Sequence, residues 1–235
     1  MSLFQGHATR FPYGVTNASP GATLGNMGQL DPTLFHTYFN DFDTYLASDW
    51  TVTNVGTTPT QALTAGLGGW LLLTMAATDD SSSFLQLKTA TFQPTANKRL
   101  FFKARFKVSD ATQSDLQLGL IITDTTPLDA TDGIYFQKDD GDTQLDVYVR
   151  KDATTGSTSI SNVATVADDT FMTLGFEYDG VQTVLAFVNG VVVGRLDASS
   201  TYLPDTLLNV SFGVQNGEAV AKTMTMDYIF AAQER

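Results

Sequence analysis

From about Leu71 onward the apolar positions of the chain recur at every second residue. Leu100, Phe102, Ala104, Phe106 and Val108 fall on one side of an extended segment, and Lys103, Arg105 and Lys107 on the other. That alternation predicts a strand with one face in a core and one in water. It repeats in Leu116, Leu118, Leu120 and Ile122, in Leu145, Val147 and Val149, and in Met172, Leu174, Phe176 and Tyr178. Leu208, Val210, Phe212 and Val214 follow, and Met224, Met226, Tyr228 and Phe230 close the series as a last shared face. Two shorter runs, Trp70 to Thr74 and Phe84 to Thr89, precede them all.

Turn chemistry separates the runs. Asp139-Asp140-Gly141-Asp142 and Asp179-Gly180 each divide one strand from the next. Asn189-Gly190, set between Val184–Val188 and Val191–Val193, tolerates the positive φ angles of a type I′ turn and predicts a tight hairpin. No segment of the second half has a period of 3.6. Many short strands joined by polar turns predict an all-β fold of antiparallel sheets packed face to face, a β-sandwich over residues 51–235.

The first fifty residues differ in kind and are expected to form an irregular N-terminal extended arm with an aromatic docking segment. Phe11-Pro12-Tyr13-Gly14, Ser19-Pro20-Gly21 and Gly25-Asn26-Met27-Gly28 are breakers at short intervals. Asp31-Pro32 suits the start of one short helical turn. Phe35, Tyr38, Phe39, Phe42, Tyr45 and Trp50 then crowd together, more aromatic surface than a solvated tail carries. Two readings stay open: the stretch from Phe35 to Trp50 folds back to complete the sandwich, and residues 1 to about 30 reach to another subunit. Phe4, Arg10, Phe11, Pro12, Tyr13, Phe35, Tyr38 and Phe39 are the candidate residues of such an interaction arm.

Composition narrows the function. The 235-residue chain is 43% hydrophobic, enough for a packed core, and carries a formal charge of −12. A surface of that sign repels phosphate backbones and argues against nucleic acid as a partner. The absence of cysteine removes disulfides and thiolate metal sites. No apolar run reaches membrane-spanning length and no export signal opens the sequence, so a soluble protein with no membrane partner is expected.

Candidate chemistry is sparse. His7 and His36 are the only histidines, and no Gly-x-Ser-x-Gly elbow or phosphate-binding glycine pattern is present. Glycoside hydrolysis needs two carboxylates facing one bond. Glu177 and Asp179 come closest, but Asp179 precedes Gly180 and reads as a turn. Tyr135 and Tyr148 are candidates for stacking a sugar. Asp79-Asp80, Asp139-Asp140-Asp142 and Asp168-Asp169 read as acidic turns, without the spacing of a calcium loop. The expectation is a protein that is not an enzyme and holds no cofactor or metal.

Two resemblances add to this reading. From Arg99 to Phe230 the chain resembles the concanavalin A-like (laminin G-like) jelly rolls. The resemblance lies in Phe101 to Val108, Gly133-Ile134-Tyr135-Phe136, Phe171 to Tyr178 with Asp179-Gly180, Phe187-Val188-Asn189-Gly190 and Met226-Asp227-Tyr228-Ile229-Phe230. That family includes lectins, glucanases and structural modules, so the resemblance implies a fold and not an activity. The acidic motif of its glucanases is missing, and a lectin's metal-and-sugar constellation maps onto no residues.

The second resemblance is to virion proteins of tailed bacteriophages. It rests on Arg10-Phe11-Pro12-Tyr13-Gly14-Val15-Thr16-Asn17, Asp31-Pro32-Thr33 and His36-Thr37-Tyr38-Phe39-Asn40-Asp41-Phe42-Asp43. It implies a capsid cement (decoration) protein on the virion exterior, binding the major capsid protein and self-associating as a trimer. The alternative is a carbohydrate-binding, lectin-like module of a phage tail or fibre, with a host-surface glycan as partner. A glucanase-like hydrolase is a distant third.

Overall fold

The computed structural model describes residues 33–153 and 156–235. Fifteen strands run through them in chain order: β1 (Phe35–Asn40), β2 (Trp50–Val55), β3 (Thr60–Thr64), β4 (Trp70–Thr74), β5 (Ser82–Leu87), β6 (Leu100–Val108), β7 (Ser114–Ile121), β8 (Gly133–Lys138), β9 (Gln144–Lys151), β10 (Gly156–Thr165), β11 (Met172–Tyr178), β12 (Thr183–Val188), β13 (Val191–Asp197), β14 (Asn209–Asn216) and β15 (Thr223–Glu234). They form two antiparallel sheets. Sheet A is ordered β13-β12-β11-β6-β15-β4-β3, with β1 paired to the second half of β15, and sheet B is ordered β10-β9-β8-β7-β14-β5-β2. The chain is a two-sheet antiparallel β-sandwich.

The period-two positions form its core. Leu100, Phe102, Ala104 and Phe106 of sheet A and Leu116, Leu118, Leu120, Val210 and Phe212 of sheet B are all buried in one cluster. Phe102 and Phe176 stack at 5.3 Å across neighbouring strands of sheet A, adding a ring–ring contact to the burial itself. In the hairpin at Asn189-Gly190 both residues have positive φ, 49° and 80°, which matches the twist of the strands it joins.

The aromatic stretch from Phe35 to Trp50 lies within the sandwich. Phe35–Asn40 is a strand of sheet A, Trp50 opens β2 in sheet B, and Phe42 between them is buried. Trp50 and Phe42 both meet Phe212 edge-on, at 5.3 and 6.0 Å, and Tyr38 packs on Trp50 at 6.1 Å. The sandwich therefore begins upstream of residue 51. Phe4, Arg10, Phe11, Pro12 and Tyr13, and the helical turn expected at Asp31-Pro32, lie outside the described residues.

The last strand departs from the expected register. Met224 and Met226 point into the core, but a bulge at Asp227 resets the pairing with β6 from Met226↔Phe106 to Tyr228↔Arg105. Such an extra residue shifts every later side chain to the opposite face. Ile229 and Ala231 take the inward positions, and Tyr228 and Phe230 are turned outward. The single inward face expected from Met224 to Phe230 is split in two.

Candidate functional site

The outward positions of sheet A are rich in aromatic and charged side chains. Across four adjacent strands the pairing aligns Phe187 of β12, Gly175 of β11, Lys103 of β6 and Phe230 of β15 in one row. In the next row Glu177 of β11 lies opposite Phe101 of β6. These residues line a cavity of about 270 Å³ that is open to solvent. Phe101, Phe187 and Phe230 supply apolar walls, and the floor is Gly175. A Cβ on Gly175 would lie 2.8 Å from the carbonyl oxygen of Phe102, so the backbone approaches too closely there for any other residue and the space above stays empty.

The charged groups around the cavity divide into two sets. Arg99 is committed to Glu234 at 2.9 Å, Arg105 to Asp227, and Lys107 to Asp169 at 3.5 Å. Lys103 and Glu177 are different: among the described residues neither side chain makes a hydrogen bond or an ion pair, and Lys103 lies 5.9 Å from the Tyr228 ring centre. One unpartnered donor and one unpartnered acceptor therefore border the apolar cavity. Among the described residues Glu177 is the only carboxylate that lines it.

Past Lys103 the same face continues. Arg105 sits 4.2 Å over the ring of Phe171, and Lys107 lies 5.5 Å from Phe171 and 6.0 Å from Trp70. Trp70 and Phe171 contact one another at 5.2 Å. Lys103, Arg105 and Lys107, expected simply to face water, thus stand in a band of aromatic rings that share the charge with them.

The outward face of sheet B is occupied by the chain itself. Residues 122–132 cross it. Gln117 donates to the carbonyl of Pro127, Gln86 donates to the carbonyl of Ile122 at 3.4 Å and accepts from the amide of Asp124, and Arg150 donates to the carbonyl of Ala130. Beneath this strap Gln86, Gln117, Asn209 and Ser211 are fully buried. Tyr135 and Tyr148 stack on one another at 5.3 Å, and Tyr135 is 1% exposed. The Tyr135 ring has no face left for a sugar. The Tyr148 phenol is pushed up to about 12, first by burial and then by the Asp146 carboxylate to which it donates.

The acidic positions serve local structure. Asp179 Oδ1 accepts from the amides of Val181, Gln182 and Thr183. Burial alone would raise this carboxyl, but the three amides outweigh it and hold it below its ordinary value. Glu177 and Asp179 are thus separated in role, one facing the cavity and the other closing a turn. Asp142 caps the amides of Thr143 and Gln144, Asp168 accepts from Ala111, and Asp80 accepts from Gln215. Among the described residues no three acidic or histidine side chains converge as a metal site.

Of the arm candidates that are described, Phe35 is buried, Tyr38 is half-buried against Trp50, and Phe39 is 59% exposed opposite Phe230. The cavity residues Phe101, Phe187 and Phe230 were not apparent from the pattern. Their available signal is parity, since Phe101 and Phe187 occupy the outward phase of strands whose inward phase is already apolar. Phe230 carries the opposite signal until the bulge is known.

No family model and no curated protein matches the sequence. Solved structures match the fold. An endo-1,3-β-glucanase from Streptomyces sioyaensis is 14% identical with a TM-score of 0.63, covering 86% of this chain and 97% of that one. A GH16 protein of the mixed-linkage glucan system of Bacteroides ovatus, solved with a product, is 14% identical with a TM-score of 0.61, over 82% of this chain and 98% of that one. The carbohydrate recognition domain of Emp46p is 12% identical with a TM-score of 0.55, over 82% and 94%. At these identities the likeness is one of architecture: the chain has the concanavalin A-like sandwich fold that glucanases and carbohydrate-recognition domains share.

Proposed function

We propose that this chain is a carbohydrate-binding module without catalytic activity and that the cavity on sheet A receives a sugar ring. The observation that carries the reading is the pair Lys103 and Glu177, neither hydrogen-bonded nor ion-paired among the described residues, beside the walls made by Phe101, Phe187 and Phe230. A pyranose has an apolar face of C–H bonds and a rim of hydroxyls. Aromatic walls suit the first, and a donor beside an acceptor suits the second, because hydroxyls both accept and donate. Ligand sites commonly combine apolar walls with a few convergent polar groups in this way. A volume near 270 Å³ is at the small end of such sites and suits one ring rather than a folded ligand.

The non-catalytic part of the reading rests on the carboxylate inventory. Hydrolysis of a glycosidic bond ordinarily uses a second carboxylate about 5–9.5 Å from the first, and among the described residues Glu177 is the one carboxylate lining the cavity. On sheet B the outward residues of β8 are Gly133, Tyr135 and Gln137, none of them acidic. Two of the structural neighbours described above are named for glucans and one for carbohydrate recognition, which supports sugar as the ligand class. The capsid-cement expectation rests on the opening of the chain, most of which lies outside the described residues, and has no counterpart among those neighbours.

The test is affinity electrophoresis of the full chain through gels containing neutral glucans, xylan, galactan, mannan or an anionic polymer. Retardation by a polymer, abolished by Phe230→Ala and reduced by Glu177→Gln, is the expected result. Loss of retardation in neither variant removes the site from sheet A. Release of reducing ends from the retained polymer, lost in Glu177→Gln, overturns the non-catalytic assignment.

A further inference from the structure

The cavity is one end of a longer surface, and the length of that surface bears on what kind of glycan it takes. Phe101, Lys103, Arg105 and Lys107 are the successive outward residues of β6, and at 3.3–3.4 Å per residue they span about 20 Å. Rings accompany them over the whole distance. Phe101, Phe187 and Phe230 stand at the cavity, Tyr228 lies opposite Arg105, and Phe171 and Trp70 flank Lys107. Trp70, Phe171 and Tyr228 are each half-buried, so part of every ring remains accessible. Lone outward aromatics are common on sheets, but rings from β4, β12, β15 and the residue before β11 gathered along the outer face of β6 form a band.

Polar contacts along the band are fixed before any ligand arrives. Asp227 holds Arg105 and Asp169 holds Lys107, and both cations lie over rings. Side chains immobilised in this way lose little entropy when a ligand settles on them. Those carboxylates offset Arg105 and Lys107, Glu177 shares the cavity with Lys103, and the whole chain is acidic, a balance that does not favour a polyanion. A pocket for a terminal sugar would end at its walls. Here Lys103 is followed on the same face of β6 by Arg105, which lies over Phe171, itself in contact with Trp70.

Building on the carbohydrate-binding reading, we infer that Trp70 and Phe171 form a second sugar subsite and that the occupant is an internal stretch of an uncharged, linear polysaccharide lying along β6. Binding energy is then spread over several rings, so affinity rises with chain length until the chain reaches Trp70 and does not depend on a free end.

The experiment measures the affinity of the full chain, by calorimetry, for an oligosaccharide series from disaccharide to hexasaccharide of the polymer retained in the gels. Affinity is expected to rise by about tenfold or more across the series, the gain of one additional stacked ring. Trp70→Ala and Phe171→Leu are each expected to flatten that rise, and Phe230→Ala to weaken every member. A melting curve of each variant separates lost binding from lost folding, with Phe171→Leu as the milder change. Reduction of the terminal sugar is expected to leave hexasaccharide affinity unchanged. An affinity already maximal at the disaccharide, or a length dependence untouched in both Trp70→Ala and Phe171→Leu, overturns the second subsite while leaving the cavity intact. Preference for an anionic polymer, weakening steeply between about 0.1 and 1 M salt, overturns the uncharged class. Failure of every polymer to bind overturns the carbohydrate-binding reading and this inference together.

Discussion

Asp115 illustrates how much a residue's surroundings add to its identity. It opens the outward face of β7, where it accepts the amide of Asp140 at 2.8 Å. Burial, followed by the neighbouring charges of Asp140 and Asp139, raises its carboxyl to about 6. Because the folded value is above the unfolded one, the native state binds the proton more tightly. The stabilisation from protonated Asp115 is complete below about pH 4 and is lost as pH rises through 6. Asp115→Asn keeps the acceptor and removes the charge. It is expected to raise the melting temperature at pH 7 and to leave it nearly unchanged at pH 4, as measured by calorimetric scans at both values. On β6, Phe106 is fully buried, and Phe106→Ala should cost about 3–5 kcal/mol. Lys103→Ala, which loses only a long contact with the Tyr228 ring, should stay within about 0.5 kcal/mol; a chemical-denaturation series compares the two. That contrast was legible in the alternation alone. The environment of Asp115 was not, because Asp140 approaches it from a turn 25 residues away.

Among the elements, the strap at residues 122–132 sets which face of the sandwich is open. Its residues are polar and turn-rich, and in the sequence they read as a loop. What holds it down is a set of amides and a guanidinium on sheet B, Gln86, Gln117 and Arg150, whose partners are mostly backbone carbonyls of the strap. Backbone acceptors carry no residue signature, so the contact is invisible to sequence reasoning. Gln117→Ala removes one of the two donors to the buried carbonyl of Pro127, the other being the Ala130 amide at 3.1 Å, at a cost of about 0.5–1.5 kcal/mol. Hydrogen exchange is expected to accelerate at the amides of 122–132 while those of β14 stay protected, and uniform acceleration of both would mean the strap has no separate stability. Two strands were equally hard to read. β3 and β10 are built largely of Thr, Ser, Asn and Gln, and they lie at sheet edges. An edge strand buries too little to impose a pattern.

At the scale of the whole molecule, the segment from Phe35 to Trp50 is part of the core. A chain cut to residues 51–235 loses β1, Phe42 and Trp50 and exposes Phe212. Truncations of such rings cost about 3–5 kcal/mol each, which approaches the 5–15 kcal/mol that stabilises a typical domain. Residues 51–235 are therefore expected to give no cooperative melt, whereas a chain beginning at Thr33 is expected to give one; thermal scans of both decide. What the sequence by itself determined is the class of fold, the inward register of β6, β7, β11 and β14, and the hairpin at Asn189-Gly190. Those features depend on neighbours along the chain, where a period of two and a turn dipeptide are sufficient causes. The site was decided by tertiary structure. Its walls come from β6, β12 and β15, which lie within one stretch of sheet A and are up to 129 residues apart between Phe101 and Phe230. Phe230 faces outward only because one bulged residue, Asp227, absorbs a step in pairing with β6. A bulge is fixed by the balance of cross-strand hydrogen bonds and core packing over the whole sheet, and no local pattern of residues encodes it.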